Sequence, residues 1–265
     1  ERDSQPPEPD QCVDRWFAGT RLWRHSDGRN WISLYAGSDV PATGRIGSGL
    51  ATNPTFLRAG LGAVEQSSMR LSRNFFSMGP FRAERMVREC GRLVLHEQIG
   101  ASYYQPLPAG CRDAAGRYRL EHEGRFTAAM AFSDRAADEV ELTTTITFDP
   151  GADGSAVLSI DTRGAVSGQA LEIALPAGTS VDGATDLGEG RFGITGATTI
   201  RRGGDTVVLE PSAGSAADVA PFYEPGEEFT FLGGTDAVRG TRLYLTWRSP
   251  AAVRLGIRHL PLEAR

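Results

Sequence analysis

Residues 139–148, EVELTTTITF, decide the fold. Val140, Leu142, Thr144, Ile146 and Phe148 occupy every second position, with Glu141, Thr143, Thr145 and Thr147 between them. A period of two sends the two sets to opposite faces of an extended chain, and the β-branched content suits a half-buried strand. The turn residues DPGADG (149–154) follow, and Ala156, Leu158 and Ile160 then resume the alternation against Ser159 and Asp161. Together the two runs read as a β-hairpin.

The same alternation recurs at Tyr118, Leu120 and His122, at Leu243, Leu245 and Trp247, and at Val253, Leu255, Ile257 and His259. Shorter candidates are 21–25, 31–35, 64–71, 92–97, 126–132, 170–175, 206–210 and 228–232, separated by Gly, Pro, Asp and Ser clusters. No window carries an apolar helical stripe over three turns, although Phe81 to Val87 has room for one short helical turn. Many short strands without helices between them predict an all-β protein, a large antiparallel β-sandwich with very little helix. No repeat of solenoid or propeller length is present. The composition shifts near Asp149, from a part holding all three Cys and three of the four His to one richer in Gly, Thr and Ala. We read this as two regions of a single domain over 13–265, preceded by a polar, Pro-rich lead over 1–12.

All 28 basic residues are Arg and none is Lys. This removes the phosphate-loop lysine, the Schiff-base lysine and the Ser-Lys dyad, and the bias toward Arg and Ala is that of high-GC coding. A net charge of −5 argues against a nucleic-acid partner. No apolar run reaches the length of a membrane-spanning helix. An opening at Glu1 on ERDSQPPEPD is expected for a trimmed product, secreted or at the cell surface. In that setting Cys111, in the loop QPLPAGCRD (105–113), is expected to pair with Cys12 or Cys90.

Several motifs begin and then fail. GRIGSGLATN (44–53) lacks the third glycine and the helix of a dinucleotide loop. The turn at 149–154 has Ile160 where a calcium loop needs a bidentate Glu. His96-Glu97 opens like a zinc-protease helix, lacks the second His and sits in a strand. No metal site and no cofactor are expected. Glu121 and Glu123 flank His122 as a glycosidase pair would, or simply line a solvated strand face.

Three of the four Trp crowd together with Arg and His, as Trp16, Arg21, Trp23, Arg24, His25 and Trp31. Aromatic faces bind sugar C–H surfaces and Arg forks match carboxylates, which points to a glycan partner; the same Trp residues can instead staple strands to a core. A second group, Ser102-Tyr103-Tyr104-Gln105-Pro106 with His96 upstream, reads as a loop carrying acid–base side chains, or as packing tyrosines.

The stretch FAGTRLWRHSDGRNWISLYAGSD (17–39), the Gly-rich GRIGSGLATNPTF (44–56) after it, and the all-β remainder resemble the supersandwich portion of polysaccharide lyases of the heparinase II/III-like and hyaluronate lyase kinds. The resemblance spans about the first 130 residues and implies β-elimination at a uronic acid. On it, Tyr104, His96 and His25 are the candidate acid–base groups, and Trp23, Arg24, Trp31, Arg45 and Asn53 the candidate substrate-binding residues. Those lyases carry a helical toroid before the sandwich, absent from this chain, which implies a helical domain or second chain as partner. The alternative is a non-catalytic secreted module that binds a glycan or a protein.

Overall fold

The computed structural model describes residues 12–36, 54–74, 80–122, 129–151, 154–221 and 240–260. These residues form an all-β architecture of two large sheets and a two-stranded ribbon. In chain order the strands are β1 (Val13–Phe17), β2 (Leu22–Ser26), β3 (Asn30–Tyr35), β4 (Leu57–Leu61), β5 (Val64–Asn74), β6 (Arg85–Glu89), β7 (Arg92–Tyr104), β8 (Glu121–His122), β9 (Ala129–Met130) and β10 (Ala137–Pro150). There follow β11 (Ala156–Gly164), β12 (Gly168–Leu175), β13 (Ser180–Asp182), β14 (Thr185–Gly188), β15 (Arg191–Gly193), β16 (Thr198–Arg202), β17 (Asp205–Pro211), β18 (Thr241–Arg248) and β19 (Ala251–Leu260). The first sheet runs β1-β2-β3-β4-β5-β12-β18-β15-β14 and the second β13-β16-β17-β19-β11-β10-β7-β6. Both sheets draw on both halves of the chain, so the composition shift at Asp149 marks no boundary between them.

The hairpin around residues 149–154 sets the pattern. Ile146 pairs with Ile160 and Phe148 with Leu158, all four buried on the face toward the first sheet. Trp23, Leu71 and Leu171 of the first sheet meet this layer, with the Trp23 and Phe148 rings 6.2 Å apart. Burying each such side chain contributes about 1.5–3 kcal/mol, so the facing layers supply most of the driving force. At one end the core becomes polar. On β7, Glu97 follows the buried Leu95, and on β10, Thr144 lies between Leu142 and Ile146. Arg73 of β5 reaches across the sandwich to both Glu97 and Thr144. Burial pushes the Glu97 carboxyl above the usual range, while Arg73 pulls against it.

Four expectations change. Residues 81–87 form no helical turn: Phe81 is buried edge-on to Phe56, and β6 pairs with β7. Of the strand expected at Tyr118, Leu120 and His122 only the two-residue β8 forms; Tyr118 and Leu120 are exposed. Ser102 to Tyr104 end strand β7 instead of standing in a loop, because they pair with 137–139 of β10. Finally, Cys12, Cys90 and Cys111 are three exposed free thiols: they sit before β1, in the β6–β7 turn and in the 3-10 turn Ala109–Cys111. The 1–11 part of the lead, the strand expected at 228–232 and residues 126–128 of that expected at 126–132 lie outside the described residues; of 129–132 only the two-residue β9 is strand.

Candidate functional site

Adjacent residues of β2 go to opposite faces. Trp23 and His25 point inward, their rings stacked 5.8 Å apart, and Arg24 points out. On β3, Ile32 and Leu34 are buried in the core, leaving Trp31, Ser33 and Tyr35 on the outer face. Register completes the arrangement. Ser33 pairs with Arg24 on one side and Arg58 of β4 on the other, so one row across three strands reads Arg24–Ser33–Arg58. Two strand spacings put the two Arg backbones about 10 Å apart.

Trp31 occupies the next row, opposite Gly60. A Cβ on Gly60 would fall 2.1 Å from the indole nitrogen, so the ring lies across bare backbone, a placement that only glycine permits. The Arg58 guanidinium sits 6.0 Å from the Trp31 ring, within cation–π range. Arg24, Trp31, Ser33, Tyr35, Thr55 and Arg58 line an open cleft of about 300 Å³. The exposed Arg24 has no ion pair or hydrogen bond among the described residues, and Arg58 has only a long 3.5 Å contact to Glu65. Two underused cations beside an aromatic plane form a receptor for an anion with an apolar face.

A second cavity, also about 300 Å³, opens at the mouth of the sandwich, lined by His25, Trp23, Asp14, Asp27, Asn30 and Arg88 among others. Its charges are largely spoken for. Asp14 accepts from the Trp23 indole at 2.7 Å and pairs with Arg88 at 3.1 Å. The indole donation is the main reason its carboxyl lies below the usual range; partial burial opposes this and Arg88 reinforces it. At Asp27 burial works upward, but donation from the backbone and side chain of Asn30 and from the Arg29 backbone outweighs it and lowers the pKa.

The candidate acid–base groups do not meet. His96 and Tyr104 are eight residues apart on β7, roughly 26 Å along an extended strand. Tyr104 pairs with Ala137 at the start of β10 and packs 4.7 Å from Phe132, whereas the His25 cavity touches Pro150 at its other end. Trp23 is only 2% exposed and belongs to the core, not to the cleft. Arg45 and Asn53 lie outside the described residues, as does Glu123; Glu121 accepts both the backbone and the hydroxyl of Ser133.

No protein-family model matches this chain, and no curated protein matches it. Of the candidate residues, Trp23 and His25 share the second cavity, and Arg24 and Trp31 share the β2–β4 cleft. Arg58, Ser33 and Tyr35 join them without having been singled out from the sequence. Ser33 and Tyr35 were reachable from Trp31 by alternation alone. Arg58 and Gly60 needed the β3–β4 register, which the 37–53 connection conceals.

Proposed function

We propose that this chain is a carbohydrate-active β-sandwich, acting outside the cell, whose β2–β4 face binds a uronate-bearing glycan. The observation that carries the reading is the convergence of Arg24, Arg58 and Trp31 on one open cleft. The indole plane packs against a sugar C–H face, the two guanidinium groups take its carboxylates, and the Ser33 and Tyr35 hydroxyls reach ring hydroxyls. The binding-module form of the reading is favoured over a self-sufficient lyase. Elimination needs a base and a carboxylate neutraliser within hydrogen-bond reach of one sugar, and Tyr104, His96 and His25 stand on separate parts of the fold. In the lyase form, suggested by the resemblance of residues 17–39, a helical domain or second chain completes the cleft.

Titration calorimetry with a uronate hexasaccharide and its neutral counterpart tests this. The uronate ligand is expected to bind at least tenfold tighter than the neutral one, and Trp31→Ala to lose at least tenfold of that affinity. Equal binding of both sugars, or an unaffected Trp31→Ala variant, refutes the assignment. Ultraviolet absorbance of an unsaturated product in the same samples separates lyase from binding module.

A further inference from the structure

A wider cavity, about 440 Å³, shares no lining residue with the β2–β4 cleft and is lined by residues of 106–120 and 129–135, between β7 and β10. Leu107, Tyr118, Leu120 and Met130 line it with apolar side chains, and Arg112 and Arg135 line it as well. Leu120 is 63% exposed and Tyr118 38%, so an apolar surface faces solvent beside two cations.

Neither cation has a counter-ion among the described residues, and the way each is held leaves nitrogens to spare. Arg112 donates through Nε to the Leu107 carbonyl at 2.9 Å, and Arg135 through Nη1 to the Gln105 carbonyl at 2.9 Å. Backbone carbonyls fix both groups without neutralising them, and the Arg135 Nε is buried with no partner. Of the described acidic groups of the same segment, Asp113 pairs with Arg117 at 3.0 Å, Glu121 accepts from Ser133, and Asp134 forms no ion pair with either guanidinium. Two positioned, uncompensated guanidinium groups next to a solvent-facing apolar wall favour a ligand that brings a negative charge and an apolar body together.

We propose that this cavity binds a small amphipathic carboxylate, with its hydrocarbon body against Leu107, Leu120 and Met130 and its carboxylate between Arg112 and Arg135. The site is independent of the glycan cleft.

Calorimetry with octanoate, octanol and octylammonium on the full chain tests it. Octanoate is expected to bind saturably, at least tenfold tighter than octanol, with octylammonium weakest. The double variant Arg112→Gln/Arg135→Gln should lose that tenfold preference, and Leu120→Ser should weaken octanoate several-fold. Leu120 is exposed enough for its variant to fold, so it reads the apolar half even where the double variant does not. Trp31→Ala should leave octanoate binding unchanged, which keeps this result distinct from the fate of the glycan reading. Absence of saturable octanoate binding, equal affinity for octanol, or indifference to Leu120→Ser overturns the proposal.

Discussion

Arg70 of β5 and Arg24 of β2 project from the same outer face of the nine-stranded sheet, three strands apart, and have opposite surroundings. Arg70 is fully buried. Its Nε donates to Glu172 of β12 at 3.0 Å, and Tyr244 of β18 donates to the other Glu172 oxygen at 2.8 Å. Arg24 is exposed, with no ion pair to a carboxylate among the described residues. In a chain whose every cation is Arg, residue type carries no information about role. The counter-ion does. A guanidinium enclosed with its carboxylate serves the fold, and one left open beside an aromatic plane is free to take a ligand's charge.

The strongest way to break this contrast is to remove the counter-ion. Glu172→Ala leaves the buried Arg70 charge without its carboxylate, and the loss should be about 3–5 kcal/mol, read as a fall in the urea midpoint. If Glu172→Ala unfolds with an unchanged midpoint, the central pair is not structural. Next comes Gly60→Val, which alters no charge. The new side chain collides with the Trp31 indole, so about 1–3 kcal/mol of stability should go, and uronate binding should fall at least tenfold as the ring leaves its place. Retained glycan affinity in this variant would show that the cations act without the indole platform.

These two regions also mark how much was legible beforehand. The alternation in EVELTTTITF needs no knowledge of the neighbouring strands, and β10 follows it residue by residue, with Leu142, Thr144, Ile146 and Phe148 buried. LWRHS and NWISLY alternate just as clearly, yet each pattern offers a Trp, on opposite faces of the sheet. Periodicity separates Trp23 from Trp31 but cannot say which face becomes interior. That depends on Phe148 and its neighbours, more than a hundred residues away. The 105–136 connection misled for a related reason. Tyr118, Leu120 and His122 alternate properly, but among the described residues only β9 pairs with this stretch, at Glu121 and His122, and alternation without a partner gives no strand. Arg70–Glu172 was invisible because 102 residues separate the partners.

A smaller effect tests the inward face of β2. Asp14 has a folded pKa below its unfolded value of about 3.9, chiefly because the Trp23 indole donates to it. A depressed carboxylate pKa stabilises the fold above the unfolded value, and that contribution is lost as pH falls through the folded value. Asp14→Asn should flatten the acid limb of the stability profile below about pH 4. The Asp14 side chain is 45% exposed, so the difference should stay below about 1 kcal/mol. A parallel acid limb in wild type and variant, measured by Trp fluorescence during urea unfolding, refutes the assignment.

The smallest expected change in stability belongs to Arg24→Gln, and it is the most discriminating. Nothing among the described residues pairs with this guanidinium, so the unfolding midpoint should move by no more than about 0.5 kcal/mol. Uronate affinity should nevertheless fall several-fold, and binding should lose part of its dependence on salt, since one ligand carboxylate no longer meets a fixed cation. The neutral sugar, which uses the Trp31 face and not the charge, should bind both proteins equally. A drop in stability as large as that of Glu172→Ala would place Arg24 among the structural cations with Arg70, and the division of the sheet's outer face into a sealed centre and an open flank would fail.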